Sequence, residues 1–401
     1  MMQSIVTSMP MMVCAILTAL LGLSLYHDKD RPRARLLVFM ATATLLYTAH
    51  CIYFNGLREA IPFTDTVYCF CNPAVYPLYL IYIEELTLHH PNRRQQALLL
   101  APSVACCIVV GTLYALTSRE QTQQFITHYL YHNEWASLTG LARWQGIAHH
   151  AVKAIFALQI PPVVLVGWQH ITRYNRLVEQ NYSDTEDKML TPIKPLLVLF
   201  VVTSLVSFLC NAIGRYRFAD SPWLLAVPSL TFSLLILLIG HIGLRQNFHI
   251  GNMDENAEEL PMGDQGDRSP DRGSAANQGA VPVISEGLRQ LMEEERFYLQ
   301  PNLKLEDVAR RLNTNRAYIY NVINVENGVS FSEFINRRRI EYAAQQIRQA
   351  PKALLADVAT MSGFSSWSAF YRNFKQFMGC TPSEYQQRLM RNEERGIWNE
   401  E

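Results

Sequence analysis

No glycine-rich phosphate loop, no His-Glu-x-x-His, no Gly-x-Ser-x-Gly and no kinase-like nucleotide core occurs in the 401 residues. The usual signatures of nucleotide hydrolysis, zinc proteolysis and serine-type acyl transfer are therefore missing. The eight cysteines include no Cys-x-x-Cys pair, which removes the common zinc and redox spacings. No catalytic residue, cofactor or metal is expected. An excess of one charge is also lacking: 35 basic residues balance 35 acidic ones, and mean hydropathy is zero. These averages conceal two unlike halves. The first 26 residues carry no Asp, Glu, Lys or Arg at all, whereas the last hundred are polar.

What is present is a series of apolar runs. They fall at about 5–26, 36–54, 67–83, 97–116, 151–168, 196–213 and 223–244, and each has the 17 to 23 or so residues that cross a hydrocarbon core of roughly 30 Å as a helix. The first lacks a basic start and is too long for a cleavable leader, and six more follow it. Residues 1–250 are thus expected to form a polytopic seven-helix transmembrane bundle.

Basic residues set its orientation. With the N-terminus outside, Lys29, Arg31, Arg33, Arg35, Arg93, Arg94, Arg173, Arg176, Lys188, Lys194 and Arg245 lie inside, against Arg58, Arg119, Arg143, Arg215 and Arg217 outside. The side richer in Lys and Arg is the cytoplasmic one, so an odd number of spans delivers the C-terminus to the cytoplasm. The expected location is a membrane, with the residues after the last span on its cytoplasmic side.

Residues 251–282 read as a linker rich in Gly, Pro, Ser and Asn. Asp254, Glu255, Glu258, Glu259, Asp264, Asp267 and Asp271 oppose only Arg268 and Arg272 there, the composition of a solvated coil.

Residues 283–391 contain one helix-turn-helix pattern twice. Val308-Ala309 precedes Asn313 as Val358-Ala359 precedes Gly363, an offset of fifty residues. The small Ala admits close approach of two helices, and Asn and Gly tolerate the positive φ of the turn between them. Apolar residues then recur four apart, Ile319 and Ile323 in one copy and Phe370 and Phe374 in the other, which marks the buried faces.

The opposite faces are assigned Arg316, Ala317, Tyr320 and Asn321, and Ser368, Tyr371, Arg372 and Lys375. Arg forks onto guanine, Asn onto adenine, and small or flat groups rest on thymine methyls, so this set suits base edges. Ser330 and Glu333 form a capping box that opens a helix of about 17 to 19 residues, roughly 25 to 29 Å long at the helical rise. That length holds two recognition helices near the 34 Å or so between successive major-groove faces. A surplus of seven positive charges between Arg296 and Arg391 suits phosphate contact. Arg337, Arg338 and Arg339 read as a solvated or phosphate-facing strip. Thr381, Pro382 and Glu384 cap a closing helix.

The stretch Gly363-Phe364-Ser365-Ser366-Trp367-Ser368-Ala369-Phe370-Tyr371-Arg372-Asn373-Phe374-Lys375, followed by Gly379-Cys380-Thr381-Pro382-Ser383-Glu384-Tyr385, resembles the second motif of the AraC/XylS family of bacterial transcription regulators. The resemblance covers about Ser285 to Met390. It implies base-reading roles for Ala317, Tyr320 and Asn321 in the first recognition helix and for Ser368, Tyr371 and Arg372 in the second. Asn321 stands where many members carry Arg or Lys, which implies a weaker or different reading of the first half-site.

The expected fold is thus all-α: the bundle, the linker, and an all-helical domain with two helix-turn-helix motifs joined by a linker helix, then a tail at 392–401. In the bundle, His50, Asn72, His149, Lys153, Asn211 and Arg215 are the candidates for lining a ligand pocket, because polar groups inside a membrane tend to be functional. Cys51, Cys69 and Cys71 lie toward the outer ends of their spans, where a disulfide is left open. Expected partners are double-stranded DNA, membrane lipid, a second copy of the chain, a small-molecule or protein signal, and RNA polymerase. The alternative is a small transporter or passive anchor whose DNA-binding part acts after proteolytic release.

Overall fold

The structure, a computed structural model, describes residues 2–27, 29–213, 222–253 and 274–394. Every regular element among them is helical, and the sole β-type feature among them is an isolated bridge between Tyr182 and Lys304. The chain divides into two compact units, Met1–Arg173 with Leu190–Asn252, and Tyr174–Met189 with Met253–Glu401.

The first unit contains α1 (Met2–His27), α2 (Arg31–Phe54), α3 (Ile61–Thr87), α4 (Arg93–Leu116), α5 (Arg119–Gln124), most of α6 (Gly140–Asn181), α7 (Lys194–Ile213) and α8 (Pro222–Arg245). Seven stretches are long and apolar enough to cross a membrane, one for each apolar run in the sequence. The stretch built on α3 is the most buried of these, and α3 packs against both α2 and α4. Local chemistry starts the helices where loops end: Asp30 caps α2 through Arg33 N–H and Asn92 caps α4 through Arg94 and Gln95 N–H.

Polar clusters pin the loops at the two ends. On one side Glu85 receives Arg35 and Arg93, and Asp30 meets His249 at 3.1 Å. On the other, a single π-helical turn, Phe125–Tyr131, packs Phe125, Ile126 and Tyr129 against Tyr53 and Ile61, and the Tyr53 hydroxyl donates to Leu130 O at 2.6 Å.

The fifth run differs from its expected extent. Residues 151–168 sit inside α6, a helix of 42 residues, about 63 Å long at the helical rise and roughly twice a hydrocarbon core. After Trp168 the chain turns polar but meets no Gly or Pro, so nothing stops the helix before Asn181. Hydropathy marks where the apolar stretch ends rather than where the helix does. Pro73, Pro77, Pro161 and Pro162 all lie within helices that continue through them.

The acidic segment from Asp254 to Asp271 lies outside the described residues. α9 (Ser274–Glu293) starts within the stretch expected as linker, where Ala275, Ala276 and Ala280 favour a helix. It is followed by α10 (Leu305–Arg311), α11 (Arg316–Tyr320), a π-helical turn Asn321–Glu326, α12 (Phe331–Gln349), α13 (Leu355–Met361), α14 (Trp367–Met378) and α15 (Pro382–Glu394).

Two small cores form here, and α12 joins them. Phe331, Phe334 and Ile335 belong to the first core with Val308, Ile319 and Ile323; Ile340, Ala343, Ala344 and Ile347 belong to the second with Val358, Phe370 and Phe374. α12 has 19 residues and opens with Ser330 Oγ accepting Glu333 N–H at 3.2 Å, as the capping pattern requires. The closing helix α15 has its expected box, with Thr381 N–H donating to Glu384 and Glu384 N–H to Thr381 Oγ1.

Between the two cores lies Arg339, which corrects the reading of a solvated arginine strip. It is 1% exposed, its Nε donates to Tyr298 O at 2.7 Å and its Nη2 to Gln300 O at 2.6 Å. Arg338 lies over the Phe334 ring, its guanidinium carbon 3.7 Å from the centroid; Arg337 alone of the three is exposed.

Candidate nucleic-acid interface

The fifty-residue repeat extends to individual backbone hydrogen bonds. Leu312 N–H donates to Val308 O, Asn313 to Arg310 O and Thr314 to Ala309 O; fifty residues on, Ser362 donates to Val358 O, Gly363 to Thr360 O and Phe364 to Ala359 O. Both turn residues have the positive φ their types permit, 49° at Asn313 and 83° at Gly363. Ala309 and Ala359 are buried where each pair of helices meets.

Each recognition helix starts on a side-chain cap. Asn315 Oδ1 accepts Ala317 N–H at 2.8 Å, and Ser366 Oγ accepts Ala369 N–H at 3.1 Å. In α14 the alternation is clean: Phe370 and Phe374 are buried, while Ser368, Tyr371, Arg372 and Lys375 are exposed on the other face at helical spacing. Gly379, at φ 70°, ends the helix with its N–H on Lys375 O.

The first motif is less open. Arg316, Ala317 and Asn321 are half-buried, and past Tyr320 the wider π turn brings Val322 as well as Ile323 into the core. Tyr320, expected to project outward, is 5% exposed and belongs to the first core; its hydroxyl accepts a 3.3 Å hydrogen bond from Gln180 Nε2. Burial pushes that hydroxyl above its ordinary pKa, and Arg176 opposes the shift.

The cause is the segment Tyr174–Met189, which clusters with this unit. Ser183 O accepts from Asn336 Nδ2 at 2.8 Å and from Ser332 Oγ at 3.2 Å, and Ser183 N–H donates to Leu303 O. Glu186 reaches the second motif: Ser366 Oγ donates to its Oε2 at 2.7 Å, and Arg372 Nη1 lies 3.7 Å from its Oε1. Gln180 and Glu186 thus touch both recognition helices. Sequence reasoning missed them, and the only available signal was the unbroken helical pattern beyond the fifth apolar run.

Of the six polar candidates in the bundle, the four that are described do not all line one site. His50 and Asn72 line a cavity of about 160 Å³, together with Tyr47, Tyr76, Phe200 and Phe232. His149 is instead buried against Asp65 and Cys69. Lys153 is exposed, with Nζ 5.7 Å from the Tyr129 ring centroid. The Asn211 side chain and Arg215 lie outside the described residues. Cys51, Cys69 and Cys71 form no disulfide, and the last two are buried.

Residues 308–388 match a family model described as a helix-turn-helix domain. The chain is 30% identical over 91 residues to the "Msm operon regulatory protein" of Streptococcus mutans, covering 23% of this chain and 32% of that protein. It is 35% identical over 99 residues to the "Virulence regulon transcriptional activator VirF" of Yersinia enterocolitica, 25% of this chain and 35% of the relative. Over 108 residues it is 25% identical to the "Probable transcription factor PqrA" of Proteus vulgaris, 27% of this chain but 86% of that protein.

The C-terminal part is an AraC-type helix-turn-helix domain. This chain spans only about a third of the length of the Msm and VirF proteins. The chain thus carries a helix-turn-helix domain like those of these regulators, joined to a helical half in which seven helices among the described residues are long and apolar enough to cross a membrane.

Proposed function

We propose that this chain is a transcription regulator that is held in the bacterial cytoplasmic membrane, reads a bipartite DNA site with its two motifs, and responds to a signal through its seven-span half. The observation that carries the reading is one chain joining a doubled groove-reading module to seven membrane-length helices. Large apolar side chains on those helices face outward, among them Leu158, Leu165, Phe208, Leu209 and Trp223, and lipid would cover them at no cost in exposed apolar surface. Positive loop charge supports a cytoplasmic C-terminus. Enzyme-reporter fusions after His27 and after Arg245 test the orientation: activity of a periplasmic reporter at Arg245 would reject it.

On DNA, Ser368, Tyr371, Arg372 and Lys375 would meet one half-site, and Arg316, Ala317 and Asn321 the other, with Tyr320 joining them once uncovered. Arg372→Ala is expected to weaken binding to the specific site about 10- to 100-fold, as loss of a base-reading Arg does, and to leave non-specific binding nearly unchanged. A gel-shift titration with the fragment from about residue 281 onward reads this directly. That fragment is suited to the test because both cores lie within 284–389 and because PqrA is little longer than the matched domain.

Glu186 and Gln180 support a covered state in which Arg372 and Tyr320 are occupied from within the chain. Glu186→Ala in the full-length protein should raise DNA affinity about two- to five-fold, the modest effect of a partly exposed ion pair. The isolated fragment lacks residue 186 and serves as the control. Equal affinity of wild type and variant would remove the cover.

The cavity lined by His50 and Asn72 is the candidate signal site. At about 160 Å³ it compares with cavities that hold a benzene-sized molecule. Its mixed aromatic and hydroxyl lining suits a small aromatic compound bearing a polar group. A second copy of the chain, bound through the membrane half, would raise the local concentration of DNA-binding domains; RNA polymerase contact would follow from bound DNA.

A further inference from the structure

We infer that Asp65, Cys69 and His149 form a binding site for a divalent transition-metal ion of borderline softness, Zn²⁺ being the type. Asp65 and Cys69 stand four residues apart on α3, hence one above the other on a single face, and His149 meets them from α6. All three are buried, and one donor atom from each lies within 4.8 Å of the others. Cys69 Sγ is 3.6 Å from His149 Nε2, and Asp65 Oδ2 is 2.7 Å from the same nitrogen.

Thiolate, imidazole and carboxylate are the three donor types of protein zinc sites. With Zn–S near 2.3 Å and Zn–N near 2.0 Å, a tetrahedral site has an S···N edge of about 3.5 Å, close to the separation already present. The Asp65–His149 pair has to open by about half an ångström to reach the corresponding O···N edge of about 3.3 Å.

The hydrogen bonding specifies a cation at this point. His149 Nδ1 lies 2.8 Å from Gln145 O, a carbonyl that only accepts, so Nδ1 carries a hydrogen. That is the arrangement in which a metal-binding imidazole is held by a backbone carbonyl while its other nitrogen faces the ion. Nε2, 2.7 Å from a carboxylate that also accepts from the Tyr114 hydroxyl, then requires a positive centre between the two, a proton or a metal. Binding replaces that proton and the thiol proton: M²⁺ enters, two H⁺ leave, and thiolate plus carboxylate cancel the ionic charge. A neutral assembly is what a low-dielectric interior tolerates.

A second buried group points to an additional ligand here. Gln145 is 2% exposed, one turn before His149, and its Oε1 has no hydrogen-bond partner. A water completing the metal's coordination would supply one. Phe125 and Tyr129 wall the site, their ring centroids 5.1 and 6.1 Å from that of His149. Under the proposed orientation this end of the bundle faces the periplasm, so the ion would be one available outside the cell; that last point rests on the proposed function, whereas the site itself does not.

The test uses the full chain in detergent or nanodiscs, exposed to Zn²⁺ and desalted, with bound zinc measured by elemental analysis. About one zinc per chain is expected, with Asp65→Asn and His149→Gln each lowering retention at least tenfold. Cobalt loaded in its place should show a sulfur-to-cobalt charge-transfer band that Cys69→Ser abolishes. His128→Ala, at an exposed histidine, is the control for adventitious binding and should change nothing. Circular dichroism shows whether each variant is folded, and the cobalt band reports on Cys69 even where retention is partial. Zinc retention that survives Cys69→Ser and His149→Gln, or a wild-type chain that retains none, would overturn the site without bearing on DNA binding.

Discussion

Replacing Arg339 by Met should destabilise the DNA-binding half by about 3 kcal/mol or more. The guanidinium is enclosed between the two cores, and its hydrogen bonds hold Tyr298 O and Gln300 O, the loop that leads into the first motif. Methionine fills much of the volume but removes the charged donor from two part-buried carbonyls at once. Burial lowers the Arg339 pKa to about 10, against the opposing pull of Asp184, so the group remains charged at neutral pH. Arg339→Lys should fall between the two, because an ammonium keeps the charge but cannot fork onto two carbonyls at once. Chemical denaturation of the fragment from residue 281 measures both, and a loss under 1 kcal/mol for the Met variant would contradict this role.

Gly363→Ala should cost at least about 2 kcal/mol for two separate reasons. Its φ of 83° is one that side-chain-bearing residues resist, and an added Cβ would lie 2.5 Å from the backbone oxygen of Leu299. The matching position in the first motif holds Asn313 at φ 49°, exposed to solvent. The strain of a side chain is therefore tolerable in the first turn and not in the second. Asn313→Gly is expected to be nearly neutral, and Gly363→Asn to be as damaging as Gly363→Ala. The same denaturation experiment distinguishes these outcomes; equal effects at the two turns would show that the Leu299 contact is immaterial.

The contrast between those turns indicates what a sequence discloses. The offset of fifty, the small Ala at each helix crossing, the caps at Ser330 and Thr381, and the apolar faces at Ile319 and Phe370 are all local, set by spacing along a few helical turns. Each recurs in the structure. The seven apolar runs are legible for the same reason, since the length of an apolar helix is a property of consecutive residues. Encounters between distant segments are not written locally. Gln180 meets Tyr320 across 140 residues, Glu186 meets Ser366 across 180, and Asp65 meets His149 across 84. Arg339 was misjudged because its charge suggests water, whereas its burial depends on carbonyls some forty residues earlier.

Chromatin immunoprecipitation of the full-length chain, with the same cells fractionated in parallel, is the most direct test of a doubled DNA-reading module working from a membrane. Enriched loci should carry two half-sites about 34 Å apart, one turn of the duplex; enrichment should vanish with Arg372→Ala, and the protein should be recovered intact with membranes. Enrichment that persists in that variant, or that is carried by a soluble C-terminal fragment alone, would contradict the account.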